Sequence, residues 1–247
     1  MDFSVKGHRA LVTGSSRGIG SAIALELAKG GADIVVHCSR PSDKAQEIAA
    51  KIRQMGRQCE VIPADLTETD RAHTLANACG KVDILVLNAS LQIKKNWQEI
   101  TSEDYIQQMN CNYFASLILM QALVPHMEKT GWGRIVTIGS VQEAKPHPEM
   151  LVYSSSKCAQ MGLVRSLATQ LAPKGITVNN VAPGVIYTDR NKEALGDKAY
   201  ALKVSKSIPV GFFGEKEDIA GVVRLLCSDF GRYITGQSIY VDGGKSL

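Results

Sequence analysis

The stretch "RALVTGSSRGIGSAIALELAKGG", Arg9 to Gly31, decides how the whole chain is read. A short apolar run ends in a glycine-rich turn, and a helix-periodic segment follows at once. Gly14, Gly18 and Gly20 allow a tight turn and a close approach of backbone to a pyrophosphate, and the next helix offers its free N–H groups and positive dipole end. The spacing is G-x-x-x-G-x-G rather than the commoner G-x-G-x-x-G, and a plain strand-to-helix turn would need similar glycines. Its place in the first strand–helix unit favours nucleotide binding, with Ser16, Arg17 and Ile19 in the same loop.

Outward from this unit the chain alternates short β-branched runs with longer helical periods. Strand candidates are "RALVT", "DIVVHC", "CEVIPA", "VDILVLN", "GRIVTIG", "GITVNNVA" and "QSIYVDG", and helices are expected to start near Gly18, Asp43, Thr67, Ser102, Tyr153 and Lys216. That alternation predicts an α/β fold, a doubly wound parallel sheet of about seven strands with helices on both faces. Strands such as Ile84 to Leu87 and Ile135 to Ile138 are apolar throughout, as expected when both faces are covered. No repeat or Pro/Gly linker divides the chain, so residues 1–247 are expected to form one domain. The charged, weakly patterned stretch from Tyr187 to Phe213 is expected to be a lid over a site.

With 247 residues, 45% of them hydrophobic, the chain can bury a sizeable core. Its net charge of +4 comes from 28 basic residues scattered among 24 acidic ones, without the clustering that nucleic-acid binders show. The longest apolar run, "ASLILMQALVP", is shorter than the ~20 residues of a membrane span, and "MDFSVKGHRALV" lacks the apolar centre of a signal peptide. No nucleic acid or membrane partner is therefore expected. Cys38, Cys59, Cys79, Cys111, Cys158 and Cys227 are irregularly spaced without CxxC, which suits buried thiols in the reducing cytoplasm and predicts no metal site.

After the second strand, an acidic residue would bind the 2′-hydroxyl of NAD and a basic one the 2′-phosphate of NADP. Here the chain reads "HCSRPSD": Ser39 stands where the acid is expected, Arg40 follows, and Arg17 lies in the glycine loop. NADP(H) is favoured and NAD(H) stays open; two ordinary surface arginines are the plain alternative. Further along, "VYSSSK" puts Tyr153 and Lys157 four residues apart, hence on one helix face.

Four features now stand in order: "TGSSRGIG", "LNAS", a serine closing "IVTIGS", and "YSSSK". Together they resemble the short-chain dehydrogenase/reductase family over essentially the whole chain, with Ser140 thirteen residues before Tyr153. The resemblance implies a Rossmann-type sheet, NAD(P)(H), and hydride transfer between a carbonyl and a secondary alcohol. It gives Tyr153 the role of general acid/base, Lys157 its activator, Ser140 the carbonyl-binding hydroxyl and Asn112, rather than Asn110, the fourth member. Cofactor contacts implied in the same way are Asp65, Leu66, Asn88, Ala89, Pro183, Gly184, Ile186 and Thr188. Leu87 and Ser90 around Asn88, and Phe212 near the lid, depart from the family pattern. Relatives are usually homotetramers that pair the helices after Ser102 and Tyr153.

The chemistry of the pair is plausible in magnitude. Free tyrosine, with a pKa near ~10, is a poor proton shuttle at neutral pH. An ammonium about 5 Å from the phenolate at an effective dielectric of ~20 stabilises it by roughly 3 kcal/mol. Between Ser140 and Tyr153, "VQEAKPHPEML" resembles the loop of bacterial glucose-dehydrogenase-like members. Gln142, Glu143, Lys145 and His147 would supply hydrogen bonds to a polyhydroxylated substrate, unless they form only a solvated loop. Gln142, two residues past the serine, is expected to face the pocket with Ser140 and Tyr153. A small polar carbonyl or secondary alcohol, a sugar or polyol, is therefore the expected substrate, with 3-oxoacyl-carrier-protein reduction as the runner-up and a cofactor-binding regulator without turnover as a third reading.

Overall fold

The computed structural model describes residues 2–188, 191 and 196–247. Seven strands form one sheet: β1 (Arg9–Val12), β2 (Asp33–Cys38), β3 (Cys59–Pro63), β4 (Ile84–Leu87), β5 (Gly133–Ile138), β6 (Ile176–Pro183) and β7 (Ser238–Val241). Their spatial order is β3-β2-β1-β4-β5-β6-β7, and each neighbouring pair is parallel. The chain thus winds outward from β1 in one direction, then returns and winds in the other from β4. A doubly wound sheet of this kind opens a crevice beyond the strand ends where the winding reverses.

Among the described residues the α-helices are α1 (Gly18–Lys29), α2 (Asp43–Gln54), α3 (Thr69–Cys79), α4 (Ser102–Met109), α5 (Ala115–Thr130), α6 (Leu151–Leu171), α7 (Lys198–Lys206) and α8 (Lys216–Cys227). Alternation along β1 divides the core in two. Ala10 and Val12 face one cluster with Ile23 and Leu27 of α1 and Val223 of α8. Leu11 faces the other, with Leu75 of α3, Leu119 of α5 and Val164 of α6. Each such fully buried aliphatic side chain contributes roughly 1.5–3 kcal/mol, so the apolar strands require helices on both faces.

Local chemistry moves some element boundaries away from those the pattern predicts. Helix α3 starts at Thr69 rather than near Thr67, because Asp65 Oδ1 accepts from the Thr67 N–H at 3.1 Å and hydroxyl at 2.7 Å. That side-chain turn holds residues 65–67 out of the helix. Helix α6 starts at Leu151, which sets Tyr153 in its first turn. A π-helical turn, Asn110–Phe114, joins α4 to α5; such insertions re-aim side chains and recur at functional sites.

The excursion read as a lid begins and ends at one point. Ile186 and Gly214 form a parallel bridge, with Tyr187 N–H donating to Gly214 O at 2.8 Å and Gly214 N–H to Val185 O at 3.1 Å. Within the expected 187–213 segment, residues 189, 190 and 192–195 lie outside the described residues.

Candidate active site

Asn112 lies in the π-turn and Tyr153 and Lys157 on α6, whereas the candidate cofactor residues and Ser140 follow the C-terminal ends of strands: 13–20 after β1, 39 and 40 after β2, 65 and 66 after β3, 88 and 89 after β4, 140 after β5, and 183–188 at and after β6. The parallel sheet gathers them along one edge.

The glycine loop fits a dinucleotide. Gly14 and Gly18 have φ of 64° and 59°, the left-handed region that glycine enters without penalty. A Cβ at Gly20 would overlap Gly14 O and stand 2.5 Å from Asn88 Nδ2, whereas at Gly18 the nearest atom is a Thr188 methyl at 3.8 Å. The loop is thus packed against its support on one side and open on the other, where Thr188 approaches. Helix α1 has no side-chain cap and no acidic residue in its first turn, so an anion meets the helix dipole without a competing carboxylate. Arg17 is the exposed N-cap residue, Ser16 is half-buried in the turn, and Ile19 packs against the core. Gly20→Ala should destabilise the protein by about 1–3 kcal/mol through overpacking, read as a fall in denaturant midpoint.

Asn88 and Ala89 brace this loop. Both backbone N–H groups donate to Thr13 Oγ1 at 2.9 Å, and Asn88 Nδ2 donates to Thr13 O at 2.8 Å and Gly14 O at 3.1 Å. Ser39, Arg40 and Asp65 line a cavity of about 270 Å³ together with Glu68 and Arg71. Arg71, which the sequence reading did not single out, has Nε 3.0 Å from Glu68 Oε2. Leu66 is buried beside this cavity's wall.

His37 also escaped the sequence reading. It is 2% exposed, accepts from Gly14 N–H through Nδ1 at 2.9 Å, and places Nε2 2.9 Å from Ala64 O. These partners require the neutral ring with its proton on Nε2, a strut between the glycine loop and the Ala64–Asp65 turn. Burial lowers its pKa from 6.5 to about 4. An unfolded imidazole takes up a proton below pH ~6.5 while the folded one does not, so stability falls as pH drops through that window. Between pH 7 and 5 the protein should lose about 2 kcal/mol more than a His37→Asn variant, measured by urea unfolding.

On the other side of the crevice, Tyr153 is buried and Lys157 is 1% exposed one turn later. Lys157 Nζ lies 5.8 Å from the Tyr153 ring centroid and donates to Ile138 O at 2.7 Å and Gln160 Oε1 at 3.2 Å. These bonds hold a buried ammonium that would otherwise be costly to desolvate. Ser140 closes β5, and its Oγ accepts from Gln142 N–H at 3.2 Å. With that lone pair engaged, the hydroxyl is placed to donate. Asn112, fully buried in the π-turn, clamps Leu91 through both backbone groups, N–H to Oδ1 at 2.8 Å and Nδ2 to O at 2.9 Å. Its Nδ2 also donates to Ser156 Oγ at 2.9 Å, and that hydroxyl donates to Tyr153 O at 2.7 Å. Asn110 instead ties to Thr67 O at 3.0 Å, in the turn that follows β3.

One expectation for the loop after Ser140 changes. Glu143 does not present its carboxyl to a substrate: Ser140 N–H, Asn180 and Ser238 draw it under the sheet edge. Gln142 Oε1 accepts from His147 N–H at 2.6 Å and Ser154 Oγ at 3.4 Å, so it also fastens the loop. Pro183 ends β6, and Gly184 N–H donates to Val241 O at 3.0 Å where a side chain would meet Asp242. Buried Ile186 lines an apolar cavity of about 360 Å³ with Ile208, Val210, Phe212 and Val241.

A dinucleotide cradle at the switch point of a doubly wound sheet, facing a buried tyrosine–lysine pair, defines a nucleotide-dependent oxidoreductase. The short chain dehydrogenase family model matches residues 8–199. Human dehydrogenase/reductase SDR family member 4 is 36% identical over 243 residues, covering 95% of this chain and 86% of that protein. A 3-oxoacyl (acyl-carrier-protein) reductase from Agrobacterium tumefaciens C58, solved with NADP bound, superposes with a TM-score of 0.93 at 33% identity, over 98% of this chain and 95% of the other. A gluconate 5-dehydrogenase from Burkholderia cenocepacia J2315, solved with NADP and tartrate, has a TM-score of 0.91 at 31% identity, over 99% and 97% of the two chains. The chain belongs to the short-chain dehydrogenase/reductase family. It is an oxidoreductase that transfers hydride between a nicotinamide cofactor and a carbonyl–alcohol pair.

Proposed function

We propose that this chain is an NADP(H)-dependent dehydrogenase/reductase of small polar carbonyls and secondary alcohols, with a sugar or polyol as substrate. The observation that carries the reading is the buried Lys157 ammonium 5.8 Å from the Tyr153 ring and bonded to Ile138 O, two residues before a Ser140 whose hydroxyl is already engaged as acceptor. Gly14, Ser16, Arg17, Gly18, Ile19 and Gly20 would hold the pyrophosphate; Ser39, Arg40, Asp65 and Leu66 the adenosine; Asn88, Ala89, Pro183, Gly184, Ile186 and Thr188 the nicotinamide half.

The bound cofactor supplies or accepts the hydride. In reduction, Tyr153 donates its phenolic proton to the carbonyl oxygen, and the developing phenolate is stabilised by Lys157. Ser140 donates a hydrogen bond to the same oxygen as its charge develops. Asn112 fixes the first turns of α6 through Ser156, and so the direction of the Tyr153 ring. Gln142, its Oε1 held by His147 N–H and Ser154 Oγ, would offer its amide Nε2 to the substrate's far end.

The 187–213 excursion acts as the lid, its base closed by the Ile186–Gly214 bridge. Residues 1–247 form a single domain. The exposed apolar residues Tyr105, Ile106, Phe114 and Leu151 near α4 to α6 suit a homotetramer, and cysteine usage suits the cytoplasm. No helix among the described residues is long and apolar enough to cross a membrane, in keeping with a small-molecule substrate.

A second reading, 3-oxoacyl-carrier-protein reduction, is favoured by the apolar cavity at the base of the lid and by the Agrobacterium relative. A panel of sugars, polyols, ketones and acyl thioesters, run with both cofactors, separates the two. Turnover confined to acyl thioesters would overturn the sugar or polyol assignment.

A further inference from the structure

The carboxyl of Glu143 sits among donors only. Its Oε1 accepts from Ser140 N–H at 3.0 Å and Asn180 Nδ2 at 3.2 Å; Oε2 accepts from Asn180 Nδ2 at 3.0 Å and Ser238 Oγ at 3.4 Å. Asn180, fully buried, is oriented by Thr137, whose hydroxyl donates to Asn180 Oδ1 at 2.7 Å. One side chain thus joins Asn180 of β6 and Ser238 of β7 to the turn that carries Ser140. Gly139 makes room for it, since a Cβ there would collide with Glu143 Oε1 and stand 2.6 Å from Asn180 Nδ2.

The same turn sets the serine. Glu143 and Ser140 cap one another across a single 3₁₀ turn, and that turn aims the Gln142 N–H at Ser140 Oγ. A carboxylate accepts on both oxygens, whereas an amide would turn a donor toward Asn180 Nδ2 or Ser140 N–H. Burial raises the Glu143 pKa, opposed by the Ser140 and Asn180 hydrogen bonds and the charge of Lys157.

We propose that Glu143 is a positioning residue for hydride transfer: its carboxylate locks the Ser140–Glu143 turn so that the serine hydroxyl donates to the substrate oxygen. The proposal rests on the reading of Ser140 above and adds the group through which that serine is held. Glu143 itself touches no reacting atom.

The test is a double-mutant cycle of Glu143→Gln and Ser140→Ala, using as probe the panel compound that the wild type turns over fastest. Alongside kcat, the NADPH dissociation constant, the thermal midpoint and hydrogen exchange at the Ser140 amide are measured. Ser140→Ala should lower kcat by about a hundredfold. Glu143→Gln should lower it by about tenfold, leave NADPH affinity unchanged and speed exchange at Ser140. The double variant should be no slower than Ser140→Ala alone, because the two residues act through one hydroxyl.

Multiplying losses, or an unchanged kcat in Glu143→Gln, would overturn the positioning role. If Glu143→Gln fails to fold, Glu143→Asp enters the same cycle; it keeps the charge but shortens the reach, and a loss that persists in the Ser140→Ala background would again overturn the proposal. A Ser140→Ala variant of full activity would instead overturn the reading of the serine. A wild type inert on every compound would overturn the functional reading, and this proposal with it.

Discussion

Tyr153→Phe should lower kcat by about 10³-fold while NADPH affinity stays within about threefold. The ring of Tyr153 is buried in the first turn of α6, so phenylalanine keeps the packing and removes only the hydroxyl. Lys157 stays fixed by Ile138 O and Gln160, and Ser140 by its own turn. What is lost is the proton donor, whose removal costs general acid–base catalysis on the order of 10²–10⁴-fold. Steady-state kinetics with NADPH titration by fluorescence checks both halves. A parallel loss of cofactor affinity would mean that the variant disturbs the fold of the site.

Replacing Arg17 and Arg40 together by alanine should weaken NADPH about a hundredfold and NADH by less than about threefold. Arg17 is the exposed N-cap of α1, and Arg40 lines the polar cavity with Asp65. Each charge-assisted hydrogen bond to a phosphate is worth roughly 1.5–3 kcal/mol, reduced here by solvent exposure. Ser39 leaves no carboxylate in its place to hold a 2′-hydroxyl, so NADH gains little from either variant. The difference between the two cofactors should narrow as salt is added, because screening acts on the phosphate contacts. Arg71 lies in the same cavity, but Glu68 already engages it. Fluorescence titrations of both cofactors at two ionic strengths measure the effect.

The sheet was legible because its strands carry unbroken apolar runs, and burial on both faces is what such runs require. The glycine loop was legible for a related reason: its backbone needs were local, and the structure gives Gly14 and Gly18 the positive φ through which glycine makes the tight turn expected there. Tyr153 and Lys157 share a helix face by spacing alone. Other residues gave no local signal. His37 reads as one more position in an apolar strand, and its role lies in contacts to Gly14 and Ala64, 23 and 27 residues away. Gln160 follows Lys157 by three residues, a spacing that placed it on the same face, but nothing in its neighbourhood marked it as a partner of the ammonium. Glu143 reads as a substrate contact or a solvated loop residue because Asn180 and Ser238 are 37 and 95 residues further along. Only the parallel pairing of β5 with β6 and β6 with β7 brings them within reach.

The boundaries that moved did so for reasons of side-chain hydrogen bonding. Asp65 caps Thr67 and delays α3, and the π-turn at Asn110–Phe114 inserts between two helical registers. Neither has a period that a sequence pattern can show. The 187–213 excursion was legible as an interruption of the strand–helix rhythm, but the bridge between Ile186 and Gly214 at its base is one that spacing does not announce.

On the proposed mechanism, Tyr153, activated by Lys157, moves the proton that accompanies hydride transfer to a small polar carbonyl. Loss of reduced-nicotinamide absorbance against the carbonyl panel, with wild type and Tyr153→Phe side by side, tests it most directly. NADPH-dependent turnover of a polar carbonyl should appear in the wild type and disappear in the variant. Turnover that survives in Tyr153→Phe, or cofactor binding by the wild type without turnover of any compound, would contradict it.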